Sequence, residues 1–435
     1  MQAVIIASGE GKRMSQKRKD SPKPLLKLLG LTLIERVILS LKQTGVVEEI
    51  LIVVGYQGEK IKKALGGGEK YGVKINYIEN SYWRRGNGIS VVRAKNQIKG
   101  NFLLLMADHI FEYTIVNEIV REELNGYDAV LAVDTTPAEY LDVNDATKVK
   151  LESDKIVQIG KHLEEYEGFD CGIFLCSPKV FEYLQEAISQ GKESLTDGMQ
   201  KIASVGRLKA FDIGEKFWID IDTPSTLQEA QRILCHRIGK ESDGFISRRL
   251  NRPISLIFTR YLVKTNLTPN SISLLSFALC VVAGMFFMGG SYFLIVIGGI
   301  ITQLASILDG CDGEVARLKF KVSEYGGWFD ALLDRYADAF VILGMVLGIL
   351  KSKGGISPWI WGFVAISGSF TNSYSAAKYD LIRKFKKRKW RFGRDTRYFI
   401  IFLGALFNQL YFTLISLGVI TNFISLRRMW VLRKD

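Results

Sequence analysis

The densest chemistry in this chain lies in Asp309-Gly310-Cys311-Asp312-Gly313-Glu314-Val315-Ala316-Arg317, followed after eight residues by Gly326-Gly327-Trp328-Phe329-Asp330-Ala331-Leu332-Leu333-Asp334. Asp309 and Asp312 stand i, i+3 at the expected end of one helix, and Asp330 and Asp334 stand i, i+4 on the next, so each pair shares a helix face. Long apolar runs border both clusters. Four carboxylates meeting at the edge of hydrocarbon repel one another unless cations hold them, and ionisable groups at membrane depth are costly enough to be kept for function.

A second chemical site opens the chain. Ala7-Ser8-Gly9-Glu10-Gly11-Lys12-Arg13-Met14 follows an apolar run directly, and its glycines let backbone N–H groups approach a polyphosphate while Lys12 and Arg13 add charge. Ser21-Pro22-Lys23-Pro24-Leu25 then fixes one lysine between two prolines and aims its ammonium group toward the same loop. The backbone at Ala7, Ser8, Gly9 and Gly11 is the expected phosphate cradle, with Lys23 and Arg13 as candidate catalytic cations. No G-K-[ST] follows, so this is not a Walker A loop.

The elements that must position these residues are of two kinds. Up to about residue 230, Ala3–Ala7, Ile50–Val54, Ile75–Ile78, Phe102–Met106 and Ala129–Val133 read as buried strands, and Thr32–Thr44, Gly58–Leu65 and Asn87–Asn96 as helices. Strands separated by crossover helices imply an α/β doubly wound, mostly parallel sheet of Rossmann-like type, with ligands at the carboxyl ends of the strands. Beyond residue 265 the character changes. Ser271–Leu308, Gly354–Ala377 and Tyr398–Leu426 contain no Asp, Glu, Lys or Arg, and each is longer than the ~18 residues that cross a bilayer. Membrane helices are expected over about 271–288, 292–309, 326–350 and 355–378. The basic stretches Lys378–Arg397 and Arg427–Lys434 both belong on the cytosolic side, so two crossings must lie between them, with a break near Asn408. The expectation is six transmembrane helices with both termini cytosolic; a single tilted final crossing is the alternative.

Three regions follow: a cytosolic domain at 1–230, a connector at 231–264 and a membrane domain at 265–435. The connector is basic through Arg232, His236, Arg237, Lys240, Arg248, Arg249 and Arg252, with Leu250, Ile254, Leu256 and Ile257 as apolar anchors, which suits a helix lying along the membrane surface. An ordinary soluble linker helix is the alternative.

Composition agrees with this division. The 435 residues allow about three domains and exclude a lone small binding module. With 24% charged and 48% hydrophobic residues, disorder and collagen-like repeats are excluded. The net charge of +13 is concentrated beside the apolar runs, which favours a membrane and phosphorylated substrates over nucleic acid. Five cysteines show no paired spacing, so neither disulfides nor a zinc site is expected. Met1–Ser8 runs straight into a strand and a glycine loop, so no leader is expected and the first domain is placed in the cytosol.

The pattern G-x-G-x-R-M followed by P-K-P-L resembles the nucleoside triphosphate transferase family over roughly residues 1–230. That resemblance implies a metal held by Asp108, which follows Phe102–Met106, and by Asp220 in Trp218-Ile219-Asp220-Ile221-Asp222-Thr223-Pro224. Asp222 is the alternative ligand or a helix cap. It also implies base and sugar recognition at Asn80, Gly86 and Asn87, and an acceptor phosphate at Lys161, which on its own is equally a surface lysine. The spacing D-x-x-D-G-x-x-A-R-x(8)-G-x-x-x-D-x-x-x-D resembles the CDP-alcohol phosphotransferase family at every defining position. The implied fold is six-helical, with Asp309, Asp312, Asp330 and Asp334 around Mg²⁺, or alternatively Mn²⁺. Asp334 would accept the proton of the attacking hydroxyl, and Asp312, Gly313, Arg317 and Gly326 would border the nucleotide. Arg391, Arg394 and Arg397 face the same side and are candidates for an acceptor phosphate, or else simply anchor helix ends.

A unit that makes a CDP-alcohol joined to one that consumes it resembles the fusions of an inositol-1-phosphate cytidylyltransferase with a di-myo-inositol phosphate phosphate synthase. The resemblance implies CTP, inositol-1-phosphate and CDP-inositol as substrates, a multi-pass protein of the plasma membrane, no nucleic-acid partner, and association of two copies through the membrane domain. No residue names the polyol. A phospholipid synthase with a lipid or other alcohol acceptor is the rival in the same class. A transporter or scaffold with an inactive nucleotide-binding domain is the rival from another.

Overall fold

The computed structural model describes residues 1–14, 21–239, 244–382 and 392–433, and the chain divides into two compact units, Met1–Ile233 and Leu234–Asp435. In the first unit β1 (Gln2–Ala7) precedes a hairpin, β2 (Lys27–Leu28) with β3 (Leu31–Thr32), and then α1 (Leu33–Thr44), β4 (Glu49–Val54), α2 (Gly58–Leu65) and β5 (Lys74–Glu79). Next come α3 (Asn87–Val92), β6 (Phe102–Met106), β7 (His109–Phe111), α4 (Tyr113–Ile119), β8 (Ala129–Asp134), β9 (Lys148–Glu152) and β10 (Lys155–Gly160). The unit finishes with β11 (Gly168–Cys176), α5 (Val180–Ser189), α6 (Leu195–Ser204), β12 (Leu208–Asp212), β13 (Trp218–Asp220) and α7 (Pro224–Arg237), which runs past its boundary.

Nine strands form one sheet in the order β5-β4-β1-β6-β11-β8-β12-β10-β9. The apolar runs of β1, β4, β6 and β8 are buried along nearly their whole length because helices cover both faces. Ile34, Val37, Ile38 and Leu41 of α1 join Ile115 and Ile119 of α4 on one face; Phe181, Leu184, Met199 and Ile202 of α5 and α6 cover the other. Helix α1 starts on a capping box between Thr32 and Glu35 and ends at left-handed Gly45. The sheet is less parallel than the alternation of runs implies. β5, β4, β1 and β6 are parallel, as are β8 and β12, but β11 lies antiparallel between β6 and β8, and β9 and β10 form an antiparallel hairpin. The sequential connections step outward from β1 in both directions, through β4 on one side and β6 on the other. That is a topological switch point, and its crevice lies beyond Ala7 and Met106.

The second unit is helical: α8 (Arg252–Leu262), α9 (Pro269–Met288), α10 (Tyr292–Leu318), α11 (Glu324–Lys353), α12 (Ser357–Ile382), α13 (Arg394–Leu406) and α14 (Leu410–Arg433). Thr268 caps α9, its Oγ1 accepting from the Ser271 N–H at 3.2 Å, with Pro269 in the first turn where no N–H is needed. Among the described residues, Pro269–Met288, Tyr292–Leu318 and Leu410–Val431 are long and apolar enough to cross a membrane. The last apolar run is two helices, broken at Asn408, whose φ is 53°. Asp309 and Asp312 do not end their helix as expected. α10 continues to Leu318, because the glycines and Cys311 between the acids fit a helix packed against its neighbours. All five cysteines are buried free thiols.

A turn of π-helix, Ser247–Asn251, leads into α8. The inner side of α8 is polar, with Ser255 and Thr259 buried, while Ile257, Phe258 and Tyr261 are exposed. Helices α9 and α11 approach backbone to backbone. A Cβ on Gly344 would overlap the Gly284 carbonyl oxygen, as small residues permit in apolar bundles. Gly344→Ala is therefore expected to cost about 2 kcal/mol through overpacking and to lower the midpoint of thermal unfolding in detergent. Gly327→Ala, with nothing within 4 Å of the added carbon, is expected to hold the midpoint or raise it slightly, since alanine is the better helix former.

Candidate active sites

In the first unit the switch point gathers the sequence-predicted residues. β1 and β6 are parallel neighbours, so Ser8 and Asp108 emerge side by side. Ser8 Oγ lies 2.7 Å from Ser90 Oγ, which also accepts from Asn80 Nδ2 at 2.8 Å, and Ser8 and Asn80 are both buried. Asn80 lines a recess of about 220 Å³ with Gly55, Lys62, Glu79 and Trp83. Gly86 and Asn87 are engaged differently from the expectation. A Cβ on Gly86 would overlap the Glu193 carbonyl, and Asn87 Oδ1 accepts from the Leu195 N–H at 2.8 Å, so both dock the start of α3 against residues 193–195.

Lys23 is 5% exposed, and its Nζ donates to Asp108 Oδ2 at 2.5 Å and to Asp222, with Asp220 3.8 Å away. Burial alone would pull this ammonium down, but Asp108, Asp220 and Asp222 hold it above the ordinary lysine range. Asp108 is in turn held low, burial being outweighed by Lys23 and His109. Arg13 donates to Asp145 and, at 3.1 Å, to Asp222; Lys161 Nζ donates to Asp145 at 2.8 Å. Arg13, Lys161, Asp145, Asp170, Asp220 and Asp222 line a cleft of about 720 Å³, the size range of a ligand pocket. Asp222 is not the cap of α7; Thr223 Oγ1 takes that role, accepting from the Thr226 N–H at 3.2 Å.

Two further side chains belong here that the motif reading passed over. His109 sits beside Asp108 and Asp220, and one donor atom from each of the three lies within 4.8 Å of the others. Burial opposes its charge, but Asp220 and Asp108 push the imidazole up to about 10. Asp170 is pushed up to about 6 by burial. The only signal for His109 was its place after Asp108. The set fits a divalent ion, since Asp220 Oδ1 is buried with no hydrogen-bond partner and the nearby cation, Lys23, lies beyond bonding distance from it.

In the second unit, α10 and α11 bring the acidic motif together. Carboxylate oxygens of Asp309, Asp330 and Asp334 lie within 4.8 Å of one another. Asp312 faces the same cavity but accepts from Ser273 of α9. The cavity, of about 380 Å³, is also lined by Gly313, Arg317, Arg335, Asn372 and Arg394. Gly313 is closed on by Arg317, whose Nη1 would lie 3.1 Å from a Cβ there, and the Gly326 N–H donates to Ser323 Oγ at 3.0 Å at the start of α11. Asp330 Oδ1 is buried with no hydrogen-bond partner, so here too the donor set fits a divalent cation.

The expected acceptor-binding arginines are otherwise occupied. Arg394 Nη1 donates to Asp309 Oδ1 at 2.6 Å and to Asp334, and Arg397 Nη2 donates to the buried Asp338 at 2.7 Å. The reason is electrostatic: carboxylates out of water require a cation, and these guanidinium groups are within reach. Arg391 lies outside the described residues. Asp338 lies outside the four-aspartate motif, one turn beyond Asp334, although D-x3-D-x3-D continues the same face. Glu314, also outside those four, accepts from Arg252 at 2.9 Å and from Ser255 and Thr259 at 2.6 Å each, tying α8 to α10. Removing Arg394 takes the ion pair from Asp309 and leaves Asp334 only Arg335, 3.9 Å away. Arg394→Ala should destabilise the chain in EDTA by about 3 kcal/mol, and Mg²⁺ should restore most of that loss; equal melting of variant and parent in EDTA would contradict it.

The chain matches the Nucleotidyl transferase family over residues 2–237 and the CDP-alcohol phosphatidyltransferase family over residues 266–431. It is 36% identical to a bifunctional IPC transferase and DIPP synthase of Rubrobacter xylanophilus, the alignment covering 99% of this chain and 96% of the relative. It is also 36% identical to a protein of the same name from Aquifex aeolicus, over 97% and 95% of the two chains. Among solved structures, the inositol-1-phosphate CTP transferase from T. maritima is 30% identical over 53% of this chain and 94% of that one, with a TM-score of 0.47. With relatives of this identity aligned end to end and both of its units matched, the chain belongs to the family of bifunctional IPC transferases and DIPP synthases, enzymes that join a nucleotidyltransferase to a CDP-alcohol phosphotransferase.

Proposed function

We propose that the chain catalyses two consecutive transfers: CTP and inositol-1-phosphate give CDP-inositol and pyrophosphate in the first unit, and CDP-inositol and a second inositol-1-phosphate give di-myo-inositol phosphate phosphate and CMP in the second. The observation that carries this reading is that one chain holds two separate carboxylate clusters, Asp108 with Asp220 and Asp309 with Asp330 and Asp334, with a ligand-sized cavity at each, lined by Asp220 in the first unit and by all three aspartates in the second.

In the cleft, a phosphate oxygen of inositol-1-phosphate attacks the α-phosphorus of CTP, and the bond to the β-phosphate breaks. Lys23 and Arg13 balance the charge that develops on the triphosphate, and the backbone of Ser8, Gly9 and Gly11 supplies N–H donors. Base or ribose recognition is assigned to the region of Asn80, which borders the recess beside β5, and the acceptor phosphate to Lys161, which lines the cleft. In the membrane cavity, a hydroxyl of the second inositol-1-phosphate attacks the phosphorus that carries the inositol, its proton passes to Asp334, and CMP leaves. Asp312, Gly313, Arg317 and Gly326 border the nucleotide. Arg394 is drawn from the carboxylates toward the acceptor phosphate as substrates enter. Asp108 and Asp220 in the first unit, and Asp309, Asp312, Asp330 and Asp334 in the second, would hold Mg²⁺ or Mn²⁺, whose positive charge would offset that of the leaving group.

The membrane unit is proposed to cross six times through α9–α14, with the first unit and both termini cytosolic. The break at Asn408 and the basic flanks support that count. The outward Ile257, Phe258 and Tyr261 of α8 support a helix lying in the membrane surface.

Mass spectrometry after incubation with CTP, Mg²⁺ and a panel of polyol phosphates should show the phosphorylated di-inositol phosphodiester and CMP, both abolished by EDTA. Another polyol product would overturn the choice of substrate. Asp334→Asn should reduce CMP release from CDP-inositol at least ~100-fold while cytidylyl transfer proceeds. Lys23→Ala should do the reverse. Loss of both activities in either folded variant would refute two separate sites.

A further inference from the structure

We propose that His109 is a direct ligand of the divalent ion in the soluble cleft, making that centre one imidazole and two carboxylates. This rests on the metal-assisted cytidylyl transfer proposed above. The two strands that carry the donors are paired: β7 and β13 are antiparallel, and Asp220 stands directly opposite His109 in the ladder. Backbone hydrogen bonding, rather than side-chain chance, therefore sets their separation.

The imidazole is oriented from its far side. His109 Nδ1 lies 2.8 Å from the Cys171 carbonyl oxygen. A carbonyl only accepts, so Nδ1 carries the hydrogen and Nε2 faces the carboxylates. A ligating histidine that donates its other N–H to a backbone carbonyl is the usual supporting arrangement at metal centres. The ring is also pinned in place. Gly172, at φ 70°, passes so close that a Cβ would overlap the imidazole, and the Trp218 ring centroid lies 5.9 Å away.

The spacing suits an ion better than a hydrogen bond. Nε2 is 3.7 Å from Asp220 Oδ2, too long for direct donation. Two donors each about 2.2 Å from one ion lie roughly 3 to 4.4 Å apart, so one dication satisfies both. An Asp108 oxygen completes a set whose members all lie within 4.8 Å. Binding replaces the Nε2 proton with the ion, and a nitrogen donor shifts preference away from Mg²⁺ toward Mn²⁺ and Co²⁺.

The test is pulsed electron paramagnetic resonance of Mn²⁺ bound to the full-length chain, read for coupling to a coordinated imidazole nitrogen. No histidine lines the membrane cavity among the described residues, so such coupling reports on the cleft. Labelling the histidines with ¹⁵N should change it. His109→Asn keeps a side-chain N–H for the Cys171 carbonyl but cannot reach the ion. It should lose the coupling, and its cleft should bind Mn²⁺ roughly 10-fold or more weakly. His109→Gln, with an amide oxygen near the Nε2 position, should lose the coupling but recover part of the affinity. Mn²⁺ bound by the unmodified chain without nitrogen coupling, or an Asn variant that binds as tightly as the parent, would make the imidazole a positioning group only and overturn the proposal. An Asp220→Asn chain that binds as many Mn²⁺ ions as the parent would remove the metal from the cleft altogether, and both readings with it.

Discussion

Carboxylates crowded together away from bulk water must share a cation, and that requirement organises both halves of this protein. Removing a charge from water costs several kcal/mol even after relaxation. In the first unit Lys23 stands among Asp108, Asp220 and Asp222; in the second, Arg394 bridges Asp309 and Asp334, Arg397 answers Asp338, and Arg252 answers Glu314. Asp108, Asp309 and Asp334 are thus each paired with a basic side chain from a different element, whereas Asp312 accepts from Ser273 and Asp330 Oδ1 has no hydrogen-bond partner. Such ion pairs tie together elements that are distant in the chain.

The two units meet this requirement with different architecture. A sheet does it at strand ends: β1 and β6 deliver Ser8 and Asp108 side by side, and the short β7–β13 ladder sets His109 against Asp220. A helical bundle does it by periodicity. Asp330, Asp334 and Asp338 share one face of α11, and the i, i+3 arginines of α13 meet that face. Close backbone contact at Gly284 and Gly344 brings α9 and α11 together, and Ser273 of α9 reaches Asp312.

Much of this was legible in the sequence wherever the signal was local. Apolar runs located β1, β4, β5, β6 and β8, Phe102–Met106 to the residue, and the spacing of Asp309, Asp330 and Asp334 announced their convergence. Asp108 and Lys23 were legible for the same reason, each flanked by a strand end or by prolines. What escaped depends on partners distant in the chain. The ion pairs of Arg394 and Arg397 were not legible, because sequence does not display carboxylates that lie on another helix. Asn87 looked like a ligand contact, yet its carbonyl oxygen is taken by a backbone N–H at Leu195. The reversed direction of β11 has no local mark either, since a buried strand reads the same whichever way it runs. His109 and Glu314 were hidden by adjacency to stronger motifs.

The membrane carboxylates are proposed to form a cation site, and Arg394 bridges two of them, Asp309 and Asp334, in this structure. Anomalous X-ray scattering from crystals of the full chain grown with Mn²⁺ tests it most directly. The account predicts a manganese peak bounded by Asp309, Asp330 and Asp334, with the Arg394 guanidinium displaced from between Asp309 and Asp334. A cavity without a peak at saturating Mn²⁺, with Arg394 still bridging the two aspartates, would contradict it.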